Sequence, residues 1–514
     1  MPKILFSALI IIALVLNGPA AIGVALGDTF INNGVIANEA SFDDARDIKN
    51  IQHVSPYCNR LTDHANGYAI TYPNHMWVDV SLSKVRTVIA DNNTRIEIYR
   101  DDFTNTVHSP SGYISYSNKY IPAPENTVQV NRQTTINGLK AHVLQWQRAP
   151  LSVIDNDRNH YLSAEFTAGP KVVYTVLIKS SQPVGELMWI INSFKRVPIK
   201  GQALINKSYA PVKKDFNEET AEFYKKYFGS EADQCWGIFE NSALYDINFL
   251  KSLENRLDYK FDFLVWYKSW GSDFPRRELE LAYKNDKYVE LSLQYPLGEN
   301  LTYAILNGQY DEYLRKYAAG LKDFGHPVLF RLNNEMNGDW CSYSSLYTSK
   351  DTELFKAVWR HTYDIFKAAG VDNAVWVWNP NDDSFPGFQW NHALNYFPGE
   401  EYVDIIGLTG YNTGNYYPGE IWRDFDSIYR PLYAEYSQVF DYPFMITEFG
   451  CNSVGGDKNQ WIRQMFSSLP NYPRIKVIIW FNGTDLDAQG KPARIYRLDE
   501  SAATLEAFKS GLGK

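Results

Sequence analysis

The chain has 514 residues, 45% hydrophobic and 21% charged, with a formal net charge of −9. That length suits two domains of ordinary size, and the acidic balance argues against nucleic acid or an anionic membrane surface as a partner. Four cysteines, Cys58, Cys235, Cys341 and Cys451, are too sparse for a disulfide framework, although export would permit a bridge.

The chain opens with Met1-Pro2-Lys3 and a 13-residue apolar run, Ile4 to Leu16, broken by Asn17-Gly18-Pro19. A short apolar run behind a basic start reads as a secretory signal, residues 1–27, with the small residues Ala25 and Gly27 offering cleavage before Asp28. Such a run is too short to span a bilayer, so the expectation is a secreted protein with no stable membrane insertion after cleavage. A polar stretch follows over 28–54, with Asn32-Asn33-Gly34 and Asp43-Asp44.

Residues 55–200 have a different composition. Runs beginning at Tyr68, Arg95, Ala141 and Val172 alternate apolar and polar residues and predict antiparallel strands. Asn137-Gly138 marks a turn between extended runs, and Met188 to Phe194 suits a helix. This smaller α+β domain loosely resembles the α/β sandwich of the PsbP type, a resemblance that carries no function. A carbohydrate-binding module and a structural or partner-docking domain are both open readings. Residues 201–231 read as a linker, with Pro211, the charged run Lys213-Lys214-Asp215, and one short helix from Thr220 to Phe228.

Residues 232–514 alternate short apolar runs with helical patterns. Eight strands are expected, starting at Gln234, Phe261, Tyr288, Pro327, Ala374, Val403, Phe444 and Lys476. Between the fourth and fifth, Leu354, Val358 and Ile365 share helical spacing in a segment that Ser349 or Asp351 can cap and Gly370 ends. Eight strand–helix repeats over this length predict an α/β fold, a (β/α)₈ TIM barrel catalytic domain behind the α+β domain. A doubly wound open sheet is the alternative; the barrel is favoured because eight repeats close naturally.

Two runs place a glutamate where a strand gives way to polar, glycine-containing chain. They are Arg331-Leu332-Asn333-Asn334-Glu335-Met336-Asn337-Gly338 and Met445-Ile446-Thr447-Glu448-Phe449-Gly450. In a barrel, chemistry gathers at the carboxyl ends of the strands, so Glu335 and Glu448 would face one cleft. Paired carboxylates are what glycoside hydrolysis needs: one protonates the leaving oxygen and the other attacks or stabilises the anomeric carbon. Mutual repulsion should keep one of them, Glu335, protonated near neutral pH.

These motifs, with Asp339-Trp340, Trp359-Arg360, Asn373 to Pro380 and Gly410-Tyr411-Asn412 in the same order, resemble glycoside hydrolase family 26 over about residues 230 to 510. The resemblance implies a retaining (β/α)₈ β-glycanase with Glu335 as acid/base and Glu448 as nucleophile. It further implies that Tyr411 hydrogen-bonds the nucleophile and that Trp480 is the aromatic platform beneath the sugar. Arg331, four residues before Glu335, would share its strand face and hold a carboxylate ionised. Asn334 stands where many members carry His, and in the wider clan such an Asn bonds the sugar 2-hydroxyl.

Aromatic residues, 15% of the chain with 14 Trp and 36 Tyr, are dense at the expected strand ends, where their faces can stack on pyranose rings. Trp340, Trp378 and Trp480 are singled out because they follow the motif-bearing strands. The Asp382-Asp383 pair reads as a solvated loop. No cofactor or metal is expected, since no ligand spacing, nucleophile elbow or phosphate loop appears.

The expected activity is therefore that of a secreted, retaining endo-β-glycosidase acting on a β-linked polysaccharide or oligosaccharide. β-1,4-Mannan is the first expectation, with β-1,3-1,4-glucan and β-1,3-xylan as alternatives. A glycan-binding protein on an inactive barrel is a reading of a different class, and a transglycosylase is a third.

Overall fold

The computed structural model describes residues 49–513, together with the backbone of three short strands, Val24–Leu26, Thr29–Asn32 and Val35–Asn38. The expected signal, apart from the first of those strands, lies outside the described residues. The chain forms two compact units. One comprises Ser208–Lys514 with Ser117–Ile121 and Leu151–Asp155, and the other holds the remaining residues up to Lys207.

In the first unit, eight parallel strands close into a barrel. They are β1 (Cys235–Phe239), β2 (Phe263–Ser269), β3 (Tyr288–Gln294), β4 (Val328–Leu332), β5 (Ala374–Trp378), β6 (Ile405–Thr409), β7 (Phe444–Phe449) and β8 (Ile475–Phe481). Closure is made by β8 against β1, from Cys235 opposite Val477 to Phe239 opposite Phe481. Side chains alternate along each strand. Leu329, Val375, Val377, Val477 and Ile479 fill the interior, while Phe330 and Trp376 face outward and meet Phe366 of the surrounding helix Thr352–Ala368.

The helices follow from local signals. Asp351 caps Thr352–Ala368 by accepting from the amide of Glu353 at 3.2 Å. Asp311–Phe324 buries Leu314, Tyr317, Ala318 and Leu321 on one face and ends at Gly325, whose φ of 75° suits the left-handed terminal position.

The segment expected as a linker contributes to the barrel itself. Asn217 caps the helix Glu218–Phe228, accepting from the amide of Thr220 at 2.8 Å. Phe223, Tyr227 and Phe228 of that helix pack against Phe263, Val265 and Leu329 inside the barrel. The helix thus closes the amino-terminal end, and the carboxyl end is left for chemistry.

The second unit carries antiparallel strands at Thr87–Ala90, Thr94–Asp102, Val172–Ser180, His160–Thr167, Leu139–Arg148 and Asn126–Ile136, paired in that order. Lys49–Ser55, Cys58–Asp63, Tyr68–Pro73 and Lys195–Arg196 form another sheet. Ile70, Tyr72, Ile98, Leu162, Val176 and Ile190 belong to the core of this unit. Asn137 and Gly138, with φ of 50° and 80°, make the two-residue turn of one hairpin.

Candidate active site

The chain leaves β4 through two non-glycine residues in the left-handed region, Asn333 at φ 45° and Glu335 at φ 55°. Each such residue costs on the order of 1 kcal/mol or more and persists where its surroundings fix it. Here the amide of Asn333 donates to the Leu293 carbonyl at 2.9 Å, and that of Glu335 to the Asn379 carbonyl at 2.7 Å. Asn337 ties the same loop to the one after β5, accepting from the Asn381 amide at 2.8 Å and donating to its carbonyl at 3.0 Å. The turn therefore aims Glu335 across the mouth of the barrel. Gly338 has no side chain where a Cβ would come 2.5 Å from the Trp340 ring, so the indole folds back and donates from Nε1 to Glu335 Oε2 at 3.4 Å.

Glu448 sits at a register irregularity of β7. Leu408 pairs with Ile446 but Thr409 pairs with Glu448, and a second shift lies between Ile446 and Phe449 on the β8 side. Such a bulge re-aims a side chain. Thr447 bonds Thr409 inside the barrel at 2.8 Å, yet its neighbour Glu448 faces inward as well.

Four side chains donate to Glu448. Arg331 Nη1 and Asn334 Nδ2 reach Oε1 at 3.1 and 3.4 Å. The hydroxyls of Tyr267 and Tyr411 reach Oε2, Tyr411 at 3.3 Å. Burial and the charge of Glu448 hold both tyrosine hydroxyls well above their ordinary titration range, so both remain donors.

The two glutamates sit in unlike environments. Burial pushes the Glu335 carboxyl up to about 8; the charge of Glu448 adds to this, while Arg331 and the Trp340 hydrogen bond oppose it. Glu448, by contrast, is bonded to a guanidinium, an amide and two phenols. One carboxyl is held protonated near neutral pH and the other has the donors that suit an anion.

Other expected site residues fall into two groups. Trp340, 48% exposed, pairs with Phe385 at 5.4 Å on one wall of a cleft of about 830 Å³ that also includes Tyr411, Ile421 and Phe481. Asn334 is buried beside Glu448, its Oδ1 accepting from Ser292 at 3.2 Å. Arg331, expected to hold a carboxylate ionised, is 0% exposed and so does not meet substrate. It donates to Ser292 at 3.1 Å and Asn379 at 3.0 Å, and acts on Glu448 rather than on sugar.

Trp378 and Trp480 do not line the cleft. Strict alternation in β5 and β8 turns both outward. Trp378 packs on Phe397 and Phe440; Trp480 packs on Phe449, Trp461 and Phe508 and donates to the Tyr496 carbonyl at 2.9 Å. In the cleft the aromatic position at the end of β8 belongs to Phe481, stacked on Phe239 at 4.5 Å. Counting by two from Val477 and Ile479 identifies it.

Several site residues lie outside the sequence expectation: Tyr267, Glu290, Ser292, Asn379 and Phe481. Glu290, the one charged residue of β3, was the available signal. Asp382, expected as solvated, is instead paired with Arg423 at 2.7 Å, and burial raises its carboxyl to about 6; Asp383 beside it is exposed.

Residues 282–479, from before β3 into β8, match the model of glycosyl hydrolase family 26. The match lies within the barrel and covers less than half of the chain. Endoglucanase H of Acetivibrio thermocellus is 29% identical over 270 residues, 51% of this chain and 29% of that relative. A mannan endo-1,4-β-mannosidase of Bacillus subtilis is 26% identical over 250 residues, 44% of this chain and 63% of the relative. The chain thus spans less than two thirds of either curated relative. Among solved structures, the catalytic domain of a Bacillus sp. JAMB-750 GH26 endo-β-1,4-mannanase aligns with a TM-score of 0.45 and 17% identity, covering 60% of this chain and 93% of that one. Within the matched residues, the loop after β4 and the end of β7 supply the two carboxylates, Glu335 and Glu448.

Proposed function

We propose that this family 26 chain is a secreted endo-β-glycosidase that hydrolyses a β-linked polysaccharide with retention. The observation that carries this reading is the contrast between Glu335 and Glu448. The charge of Glu448 acts on Glu335, which is held protonated up to about 8, while Glu448 is held by four donors. In the first step a Glu448 oxygen bonds to the anomeric carbon as Glu335 protonates the leaving oxygen. In the second, Glu335 takes a proton from water, which attacks the same carbon and frees Glu448.

β-1,4-Mannan is the first substrate, supported by the relative named a mannan endo-1,4-β-mannosidase. A β-glucan is the second, supported by the relative named an endoglucanase and by Asn334 beside Glu335. β-1,3-Xylan completes the set. The apolar rings of Trp340, Phe385 and Phe481 suit stacking on pyranose faces, and the amino-terminal signal expected from the sequence supports export.

The test is turnover of mannan, glucomannan, mixed-linkage glucan and β-1,3-xylan by the mature chain beside Glu448→Ala. Reducing ends released by the unaltered chain alone establish hydrolysis and name the glycan. Binding without release on every polymer would replace the enzyme with a glycan-binding protein.

A further inference from the structure

Arg331 is shared between carboxylates on opposite strands of the barrel. Its Nε lies 2.6 Å from Glu290 Oε1 on β3, and its Nη1 lies 3.1 Å from Glu448 Oε1 on β7. Glu290 and Arg331 are both fully buried, so neither meets the sugar. Turnover treats the two contacts differently. When a Glu448 oxygen bonds to the anomeric carbon, the bond from that carbon to the leaving oxygen breaks and that oxygen takes the proton of Glu335. Glu448 is then a neutral ester, and the negative charge has moved to Glu335, whose side-chain partner is Trp340. Without another counter-ion, Arg331 would be a buried cation beside the neutral Ser292, Asn379 and Tyr267, a costly state in a low-dielectric interior.

We propose that Glu290 is a positioning residue that keeps Arg331 paired while Glu448 is esterified, and so stabilises the covalent intermediate and the transition state leading to it. This rests on the retaining reading given above. The electrostatics of the pair agree with it. Burial pushes the Glu290 carboxyl up to about 8, Arg331 pulls it down, and the charge of Glu448 pushes it up. Esterification removes that last push and leaves the pull of Arg331, so the carboxylate is favoured in the state that needs it. Tyr267, whose ring lies 5.3 Å from the guanidinium, and Tyr411 both donate to Glu448, and burial keeps their protons in place; Glu335, beyond Glu448, also feels Arg331.

The experiment traps the ester with a 2-deoxy-2-fluoro β-glycoside carrying a dinitrophenolate leaving group, in the sugar configuration that the unaltered chain cleaves. Intact mass follows ester formation, and recovery of activity after removal of the reagent follows its breakdown. For Glu290→Gln, formation should slow roughly 10- to 100-fold, while breakdown is unchanged or faster because an unpaired Arg331 favours release of the carboxylate. Equal slowing of both steps, as a merely structural role would give, or no change in either, overturns the proposal. Should Glu290→Gln fail to fold, Glu290→Asp keeps the charge at greater distance from Arg331. It should show the same asymmetry to a smaller degree, and equal slowing would again overturn the proposal. An unaltered chain that cleaves polymer but forms no ester overturns the retaining reading and this inference with it.

Discussion

Trp340 lies folded over Gly338, with its indole Nε1 3.4 Å from the carboxylate of Glu335. A glycine two residues before the tryptophan therefore controls a contact to the proposed acid. In Gly338→Ala the new Cβ would displace the ring, which is half-exposed and free to swing outward. The expected result is kcat/KM on polymer reduced roughly 10-fold, with a melting temperature close to that of the unaltered chain, because the lost hydrogen bond is of order 1–2 kcal/mol. Steady-state kinetics beside thermal unfolding checks both halves.

The raised carboxyl of Glu335 sets a pH dependence. The acid must hold its proton to assist leaving-group departure, so kcat/KM should decline as pH rises through about 8. The Trp340 hydrogen bond lowers that value, since it favours the charged form. Trp340→Phe should therefore move the alkaline limb to higher pH, and a limb displaced to lower pH would contradict the assignment. An aryl glycoside with a good leaving group should show a weaker alkaline decline than polymer.

Tyr267 and Tyr411 donate to the same oxygen of Glu448. Removing either hydroxyl takes away a donor that fixes the orientation of the proposed nucleophile. Tyr411→Phe and Tyr267→Phe should each lower kcat/KM by roughly 10- to 100-fold, the range for a hydrogen bond to a charged group. Both effects should appear with aryl glycosides as well as polymer, since they act on the attacking carboxylate. Activity on the two substrate types is the measurement.

Trp480 and Phe481 are adjacent and should respond oppositely to truncation. Trp480→Ala empties a site between Phe449, Trp461 and Phe508 and should cost about 3–5 kcal/mol of stability in denaturant unfolding. Phe481→Ala opens the cleft instead, and should weaken oligosaccharide binding with a smaller loss of stability. Calorimetry with an oligosaccharide, beside urea unfolding, separates the two.

At the other end of the barrel, Phe223 packs tilted against Tyr288 at 4.5 Å and edge-on against Phe263 at 5.9 Å. Phe223→Ala should lower stability by about 3–5 kcal/mol and leave KM unchanged in folded protein, because the site is at the opposite strand ends. Unfolding midpoints and KM together test this.

The sequence by itself favoured the barrel over an open sheet, because eight strand-length apolar runs alternating with helix-period segments close naturally. It also marked the two glutamates, since a carboxylate at the polar end of an apolar strand is visible as a break in pattern. Long-range geometry decided the rest. Alternation within β8 gives the cleft to Phe481 and the outer layer to Trp480, although both are aromatic and adjacent. The shifts around β7 let Thr447 and Glu448 face inward together, against the two-residue period of a regular strand. Glu290 meets Arg331 because β3 and β4 are neighbours in register, Ser292 opposite Arg331. Which carboxylate the guanidinium holds, and which tryptophan meets the cleft, depends on strand register and side-chain direction. Closure of the sheet fixes both, by setting which face of each strand turns inward.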